Sequence, residues 1–181
     1  MEGVTLLDIA KNAIKDELFC TESIDKLSLE RDNEYLSDVR ACFVTLYLDG
    51  DLRGCIGSLQ PHRKLIDDIM NNAKSAAFQD YRFQPLSKNE FEKIDIEISL
   101  LTVPKILIYE SLEELKDKIT VGVDGIILEK NHNKATFLPQ VWEQLPTFES
   151  FFEHLCLKAG LCDNCLKQFP QIYTYQVKKF T

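Results

Sequence analysis

The sequence predicts an α+β fold, mostly antiparallel sheet with flanking helices, on three observations. Apolar residues recur at helical spacing in some blocks and with period two in others. The period-two blocks pair around turn residues, with helical blocks between groups of strands rather than after every strand. Internal repeats and low-complexity linkers are absent, and 181 residues with 45% hydrophobic content fit one domain, or one core with a smaller second lobe.

Residues 4–19 place Val4, Leu7, Ile14 and Leu18 on one side of an amphipathic helix. A polar connector, Thr21–Val39, carries no strong periodic signal. Ala41–Leu48 is rich in β-branched and aromatic residues, and Asp49-Gly50-Asp51 turns it into Leu52–Leu59, which makes a hairpin. Lys64–Phe78 is helical through Leu65, Ile69, Ala73 and Ala76, although its start lacks a Ser, Thr, Asp or Asn cap. Asp80–Pro85 breaks that helix, and Ser87–Phe91 starts a short turn or helix.

Ile94–Leu101 alternates as a half-buried strand and ends before Pro104, with Lys105–Tyr109 as a possible continuation. Ser111 with Glu114 forms a capping-box pattern for a short helix. Val121–Lys130 is a β segment kinked at Gly122 and Gly125, and Asn131-His132-Asn133 turns it into Ala135–Leu138. Helices follow at Gln140–Leu145 and Phe148–Ala159, the second stopped by Gly160. Gln171–Lys179 closes the chain as a single strand.

The net charge of −8 speaks against a general nucleic-acid backbone binder, while leaving room for a local basic pocket. The apolar runs are too short for a membrane span, and the N-terminal residues lack a secretory pattern, so a cytoplasmic location is expected. Reduced thiols are therefore expected for the six cysteines.

The hairpin repays counting. Closed without irregularity, it puts Cys42, Val44, Leu46 and Leu48 on one face with Arg53, Cys55 and Gly57. The other face carries Phe43, Thr45, Tyr47, Leu52, Gly54, Ile56 and Ser58. A thiol facing Val44 and Leu46 is desolvated and inert, whereas Arg53, roughly 6–7 Å along the strand, favours reactivity. On this count Cys55 is mainly a packing thiol. Gly54 and Gly57 mark a close approach by another backbone or a ligand, or a bulge that turns Arg53 outward.

The run FVTLYLDGDLRGCIGSLQP closely resembles the signature of the AMMECR-type domain, also called AmmeMemoRadiSam system protein A. The resemblance continues in order through NNAKSAAFQD, DYRFQPL, IDIEISLL, VGVDGIIL, FLPQVWEQ and LKAGL, spanning about Ala41 to Phe180. It implies a two-lobed fold whose larger lobe contains both termini, here one domain over residues 1–181 with its signature hairpin at 41–59. It also implies company with Memo-type and radical-SAM proteins, and a suggested role in nucleic-acid modification or regulation, with no established reaction and no cofactor. After LKAGL, where the family pattern leads to a Pro and later an aromatic, this chain has Cys162-Asp163-Asn164-Cys165. A metal site there would recruit His154 and Cys156, at spacings unlike common zinc sites. A reversible local disulfide and simple packing are the alternatives.

The polar residues within these blocks are Arg53, Asp80, Arg82, Glu97, Asp124 and Glu143. Arg53 and Arg82, with Gly54 and Gly57 clearing space, form a candidate site for a phosphate or carboxylate. Cys55 is the candidate nucleophile, with Asp80 or Glu97 as general base. The plainer alternative has Asp80 capping a turn and pairing with Arg53, and Glu97 on a solvated strand face. A Cys55–His62 dyad needs a sharp return of the chain. Trp142, Phe148, Phe151 and Phe152 read as core. Three functions follow: an enzyme in a partnered modification pathway, a non-catalytic adaptor, or a nucleic-acid binder that needs a basic groove. The working expectation is the enzyme, with Asp80–Arg82 holding Arg53 at a cleft.

Overall fold

The computed structural model describes Glu2–Thr181. Met1 and the side chains of residues 2–4, including Val4 of the expected helix face, lie outside the described residues. The chain divides into two compact units, one running to Leu101 and regaining the chain at Lys178–Thr181, the other comprising Thr102–Val177. The larger unit therefore holds both termini. Among the described residues no helix is long and apolar enough to cross a membrane.

The first unit is a four-stranded antiparallel sheet backed by two helices. Strands β1 (Cys42–Leu48), β2 (Asp51–Gly57), β3 (Ile94–Leu101) and β8 (Val177–Phe180) lie in the order β2-β1-β3-β8. Helices α1 (Glu2–Phe19) and α3 (Leu65–Phe78) pack on each other and on the sheet. The buried face of α1 is Leu6, Ile9, Ala10, Ala13 and Ile14. It is rotated from the Leu7–Ile14–Leu18 stripe that the large apolar residues suggest, with Leu7 and Leu18 only partly buried. Two of those five buried positions are alanines, so small residues share the packed face with the large ones.

The connector after α1 is more ordered than its composition suggests. It holds helix α2 (Lys26–Asp32), capped by the Asp25 carboxylate, and a 3₁₀ turn at Glu34–Ser37. Its end also explains how α3 starts without a side-chain cap. The Leu65 amide donates to the Asp38 carbonyl at 2.8 Å, and Val39 bridges to Lys64. A backbone carbonyl thus takes over one of the helix's free amides. Helix α4 (Lys88–Phe91) is a single turn closed by a capping box between Ser87 and Glu90.

The second unit has its own antiparallel sheet. Strands β4 (Lys105–Leu107), β5 (Gly125–Lys130), β6 (Asn133–Phe137) and β7 (Gln171–Tyr175) take the order β4-β7-β5-β6. Asn131 and His132 turn β5 into β6, as expected, while residues 121–123 form a turn rather than strand. Helix α5 (Leu112–Lys118) and helix α6 (Phe148–Lys158) complete the unit. The Trp142 and Phe151 rings stack at 3.6 Å between centroids, and the Trp142 indole donates to the Asp124 carbonyl, so these aromatics are core. The expected final strand is in fact two, split at Gln176, with β7 serving the second sheet and β8 the first.

The expectation of six reduced thiols is corrected here. Cys156 on α6 is joined by a disulfide to Cys165, which starts a 3₁₀ turn at Cys165–Gln168. The chain reverses after α6, with the Leu161 amide on the Cys156 carbonyl, and this return brings Cys165 beside the helix. A local Cys162–Cys165 bond is among the alternatives the spacing leaves open; the helix end pairs Cys165 with Cys156 instead.

One close approach in the first unit is between backbones. A Cβ added to Gly54 would lie 2.2 Å from the Ala76 carbonyl oxygen of α3, so no side chain fits. Gly54→Ala is expected to destabilise the protein by about 1–3 kcal/mol, read as a lower urea midpoint. An unchanged midpoint refutes the contact.

Candidate functional site

The register of β1 and β2 decides where Cys55 sits. The pairs are Val44 with Ile56, Thr45 with Cys55 and Leu46 with Gly54, after which Tyr47 pairs with Leu52. Arg53 is the extra residue of a bulge. One inserted residue reverses the alternation beyond it, so the face count made for a regular hairpin is wrong from Gly54 onward. Gly54 and Ile56 join Val44 and Leu46 toward the helices. Cys55 and Gly57 join Thr45 and Phe43 on the opposite face, and Cys55 is partly exposed.

Two segments after α3 grip this strand. Asp80 is buried, and one carboxylate oxygen accepts the Cys55 amide at 2.9 Å. The same carboxylate takes the Arg82 guanidinium at 2.6 and 2.9 Å and the Arg82 amide at 3.2 Å. The Arg82 guanidinium also donates to the Cys55 carbonyl at 3.4 Å. The backbone of Cys55 is therefore held at both its amide and its carbonyl. Bonds from Arg82, opposed by burial, keep the Asp80 carboxyl well below the ordinary aspartate value.

Arg53 is held by other residues than expected. Its Nε donates to Glu90 at 2.9 Å, and its Nη2 donates to the Gln84 carbonyl at 2.8 Å and to Glu90 at 3.3 Å. Glu90 also closes the capping box with the Ser87 amide and hydroxyl. Phe83 lies beneath both cations, with Arg53 at 5.7 Å and Arg82 at 5.4 Å from its centroid. The expected Asp80–Arg53 pair is thus replaced by Asp80–Arg82 and Glu90–Arg53. Arg53 is 11% exposed in its side chain and Arg82 is 42%, so Arg82 is the accessible guanidinium.

Beside Cys55 on the central strand, the Thr45 hydroxyl donates to its sulfur at 3.3 Å. Thr45 pairs in turn with Glu97 of β3, so Cys55, Thr45 and Glu97 form a row across three adjacent strands. Glu97 is two strands from Cys55, about 9–10 Å at sheet spacing. It pairs with Lys179 of β8 at 3.1 Å, and its side chain is only 15% exposed. His62 bonds to the Gln60 carbonyl and to Arg63, with no bond to Cys55 among the described residues. Gly57 clears space for the Phe43 ring, which an added Cβ would meet at 2.2 Å. Asp124 and Glu143 belong to the second unit; Asp124 accepts the Thr120 amide and Glu143 is exposed.

Sequence reasoning missed Glu90 and a second buried carboxylate. Asp68 of α3 accepts the Cys42 amide at 2.9 Å, the Ser58 hydroxyl at 2.6 Å and Asn72 at 3.0 Å, with Arg63 at 3.3 Å. It joins the start of β1 to the residue after β2. Burial, with the Asp68 charge beside it, pushes the Cys42 thiol well up. The signal was present: Asp68 and Asn72 fall on the same helical stripe as Leu65, Ile69 and Ala73. For Glu90 the signal was Ser87 three residues earlier, a capping-box spacing.

Bonds from Arg53 and the Ser87 amide hold the Glu90 carboxyl down to about 2, from an ordinary 4.5. Its contribution to stability is complete above 4.5 and is lost as pH falls toward 2. Glu90→Gln is expected to flatten the acid-unfolding curve across that window while lowering stability at neutral pH. An acid curve of unchanged slope contradicts this.

Comparison with known proteins bears on the whole chain. The AMMECR1 family model matches residues 7–180. A protein of Methanothermobacter thermautotrophicus is 38% identical over 99% of this chain and 93% of its own length. One from Methanopyrus kandleri is 39% identical over 99% and 87% respectively. The crystal structure of an uncharacterised protein from Pyrococcus horikoshii superposes with a TM-score of 0.79 at 31% identity, covering 98% of this chain and 89% of that one. With the family model over nearly its whole length and these relatives beside it, the chain belongs to the AMMECR1 family.

Proposed function

We propose that the chain is a thiol-dependent enzyme acting on an anionic, carbonyl-type substrate, within a modification pathway shared with Memo-type and radical-SAM proteins. The observation that carries this reading is the bulge at Arg53, which places Cys55 on the partly exposed face between Thr45 and Arg82. In a regular hairpin the same cysteine would be packed against Val44 and Leu46.

Cys55 is the nucleophile and Arg82 the anion-binding group, because its guanidinium is accessible and lies against the Cys55 carbonyl. As the sulfur–carbon bond forms, the thiol proton leaves to solvent, and the Thr45 hydroxyl, which already donates to the sulfur, stabilises the thiolate. Glu97, on the same row but paired with Lys179, makes the local field rather than taking the proton directly. Asp80 is a positioning residue in this scheme, since its oxygens already accept the Cys55 amide and Arg82. Arg53, enclosed against Glu90 and Gln84, fixes the bulge rather than meeting the substrate. Tyr81 is 95% exposed beside Arg82, where it offers a stacking or partner contact.

Alkylation of the native protein with iodoacetamide, resolved by peptide mass spectrometry, tests the proposal. Cys55 is expected to label at least about 100-fold faster than buried Cys42, with Arg82→Met slowing Cys55 and leaving exposed Cys20 unchanged. Labelling of Cys55 only after unfolding defeats the enzyme reading and leaves the adaptor reading in its place.

A further inference from the structure

The second unit carries three cysteines whose arrangement the Cys55 chemistry does not use. Cys156 and Cys165 share a disulfide with Cα atoms 5.8 Å apart, and both are sealed in the core at 0% and 1% exposure. Cys162 is a free, exposed thiol three residues before Cys165. The Cys165 amide donates to the Cys162 carbonyl at 3.1 Å. A four-residue turn of that kind holds its end Cα atoms within about 7 Å, overlapping the range that a disulfide spans. Cys165 is therefore bonded to one buried cysteine and one short turn away from a second, exposed one.

We propose that Cys156, Cys162 and Cys165 form a thiol–disulfide exchange site, with Cys162 as the entry thiol and low-molecular-weight thiols as its substrates. The Cys162 thiolate attacks the Cys165 sulfur. A Cys162–Cys165 bond forms, the Cys156–Cys165 bond breaks, and Cys156 leaves as a thiolate that takes up the proton Cys162 gave. No external oxidant or reductant enters this step. An external thiolate then attacks the exposed Cys162 sulfur, forming a mixed disulfide and releasing Cys165 as thiolate. A second thiol resolves the mixed disulfide, so two thiols are oxidised to one external disulfide while the protein's disulfide is reduced.

The burial pattern makes the relay necessary. An external thiol cannot reach a disulfide with both residues in the core, whereas an exposed thiol on the adjoining turn moves the bond outward. Around Cys162 the turn is built to hold the sulfur: it donates to Asn164 at 3.2 Å, and the Gln168 amide, itself bonded to Lys130, donates to it at 3.8 Å. The reduced form frees the segment from α6. Asp163, Asn164, Leu166 and Lys167 of that segment line a groove of about 600 Å³ shared with α5 and α6, so the redox state sets the shape of this groove.

The test uses the full chain in a Cys20→Ser background, which removes the exposed thiol of the other unit. Native protein is treated with dithiothreitol, quenched by alkylation at intervals, and mapped without reduction. The Cys156–Cys165 bond is expected to open at least about tenfold more slowly in Cys162→Ser than in the parent. Maps of the partly exchanged parent should contain a Cys162–Cys165 linkage, which is a readout independent of stability. Equal opening rates overturn the proposal, and so does the absence of that linkage at every time point.

Discussion

One backbone contact organises the first unit. Helix α3 lies so close to β2 that the Ala76 carbonyl occupies the space of a side chain at Gly54. For Gly54 to face the helix, the strand must carry the extra residue at Arg53, because a regular hairpin turns Gly54 the other way. The same insertion turns Cys55 away from the core. Close packing and the candidate chemistry are thus two consequences of one register shift.

Two carboxylates from α3 and its end secure that arrangement. Asp68 ties the Cys42 amide to Ser58 at the open end of the hairpin, and Asp80 ties the Cys55 amide to Arg82 farther along β2. Both are buried, and both are covered by donors, which is the condition under which a buried charge is tolerated. Glu90 does the equivalent for Arg53 from a one-turn helix. The polar residues of the signature are spent mainly on fixing backbone. Cys55 stays partly exposed beside them, and Arg82 keeps an exposed part of its guanidinium.

The second unit is built on a different economy of contacts. Its core is aromatic, with Trp142 stacked on Phe151, and a disulfide closes the end of α6. Its exposed thiol at Cys162 lies on the turn whose next two residues, Asp163 and Asn164, line a groove against α5 and α6. The two units therefore place their sulfur atoms differently, one on a bulged strand and the others at a helix end and the turn after it.

Most elements were legible in the sequence because they follow from local periodicity and turn chemistry. The hairpin at Asp49-Gly50, the half-buried strand Ile94–Leu101, the Asn131-His132 turn and the helix from Phe148 all lie where alternation, caps and breakers put them. What failed was whatever depends on contacts distant in sequence. The buried face of α1 includes two alanines that a stripe of large apolar residues passes over, and Cys165 meets Cys156 only because the chain returns after the helix. The sequence by itself determined the fold class and the family. Only the tertiary structure decided the face of Cys55 and the partner of Arg53, because a single inserted residue leaves the periodicity readable but reverses every side chain beyond it.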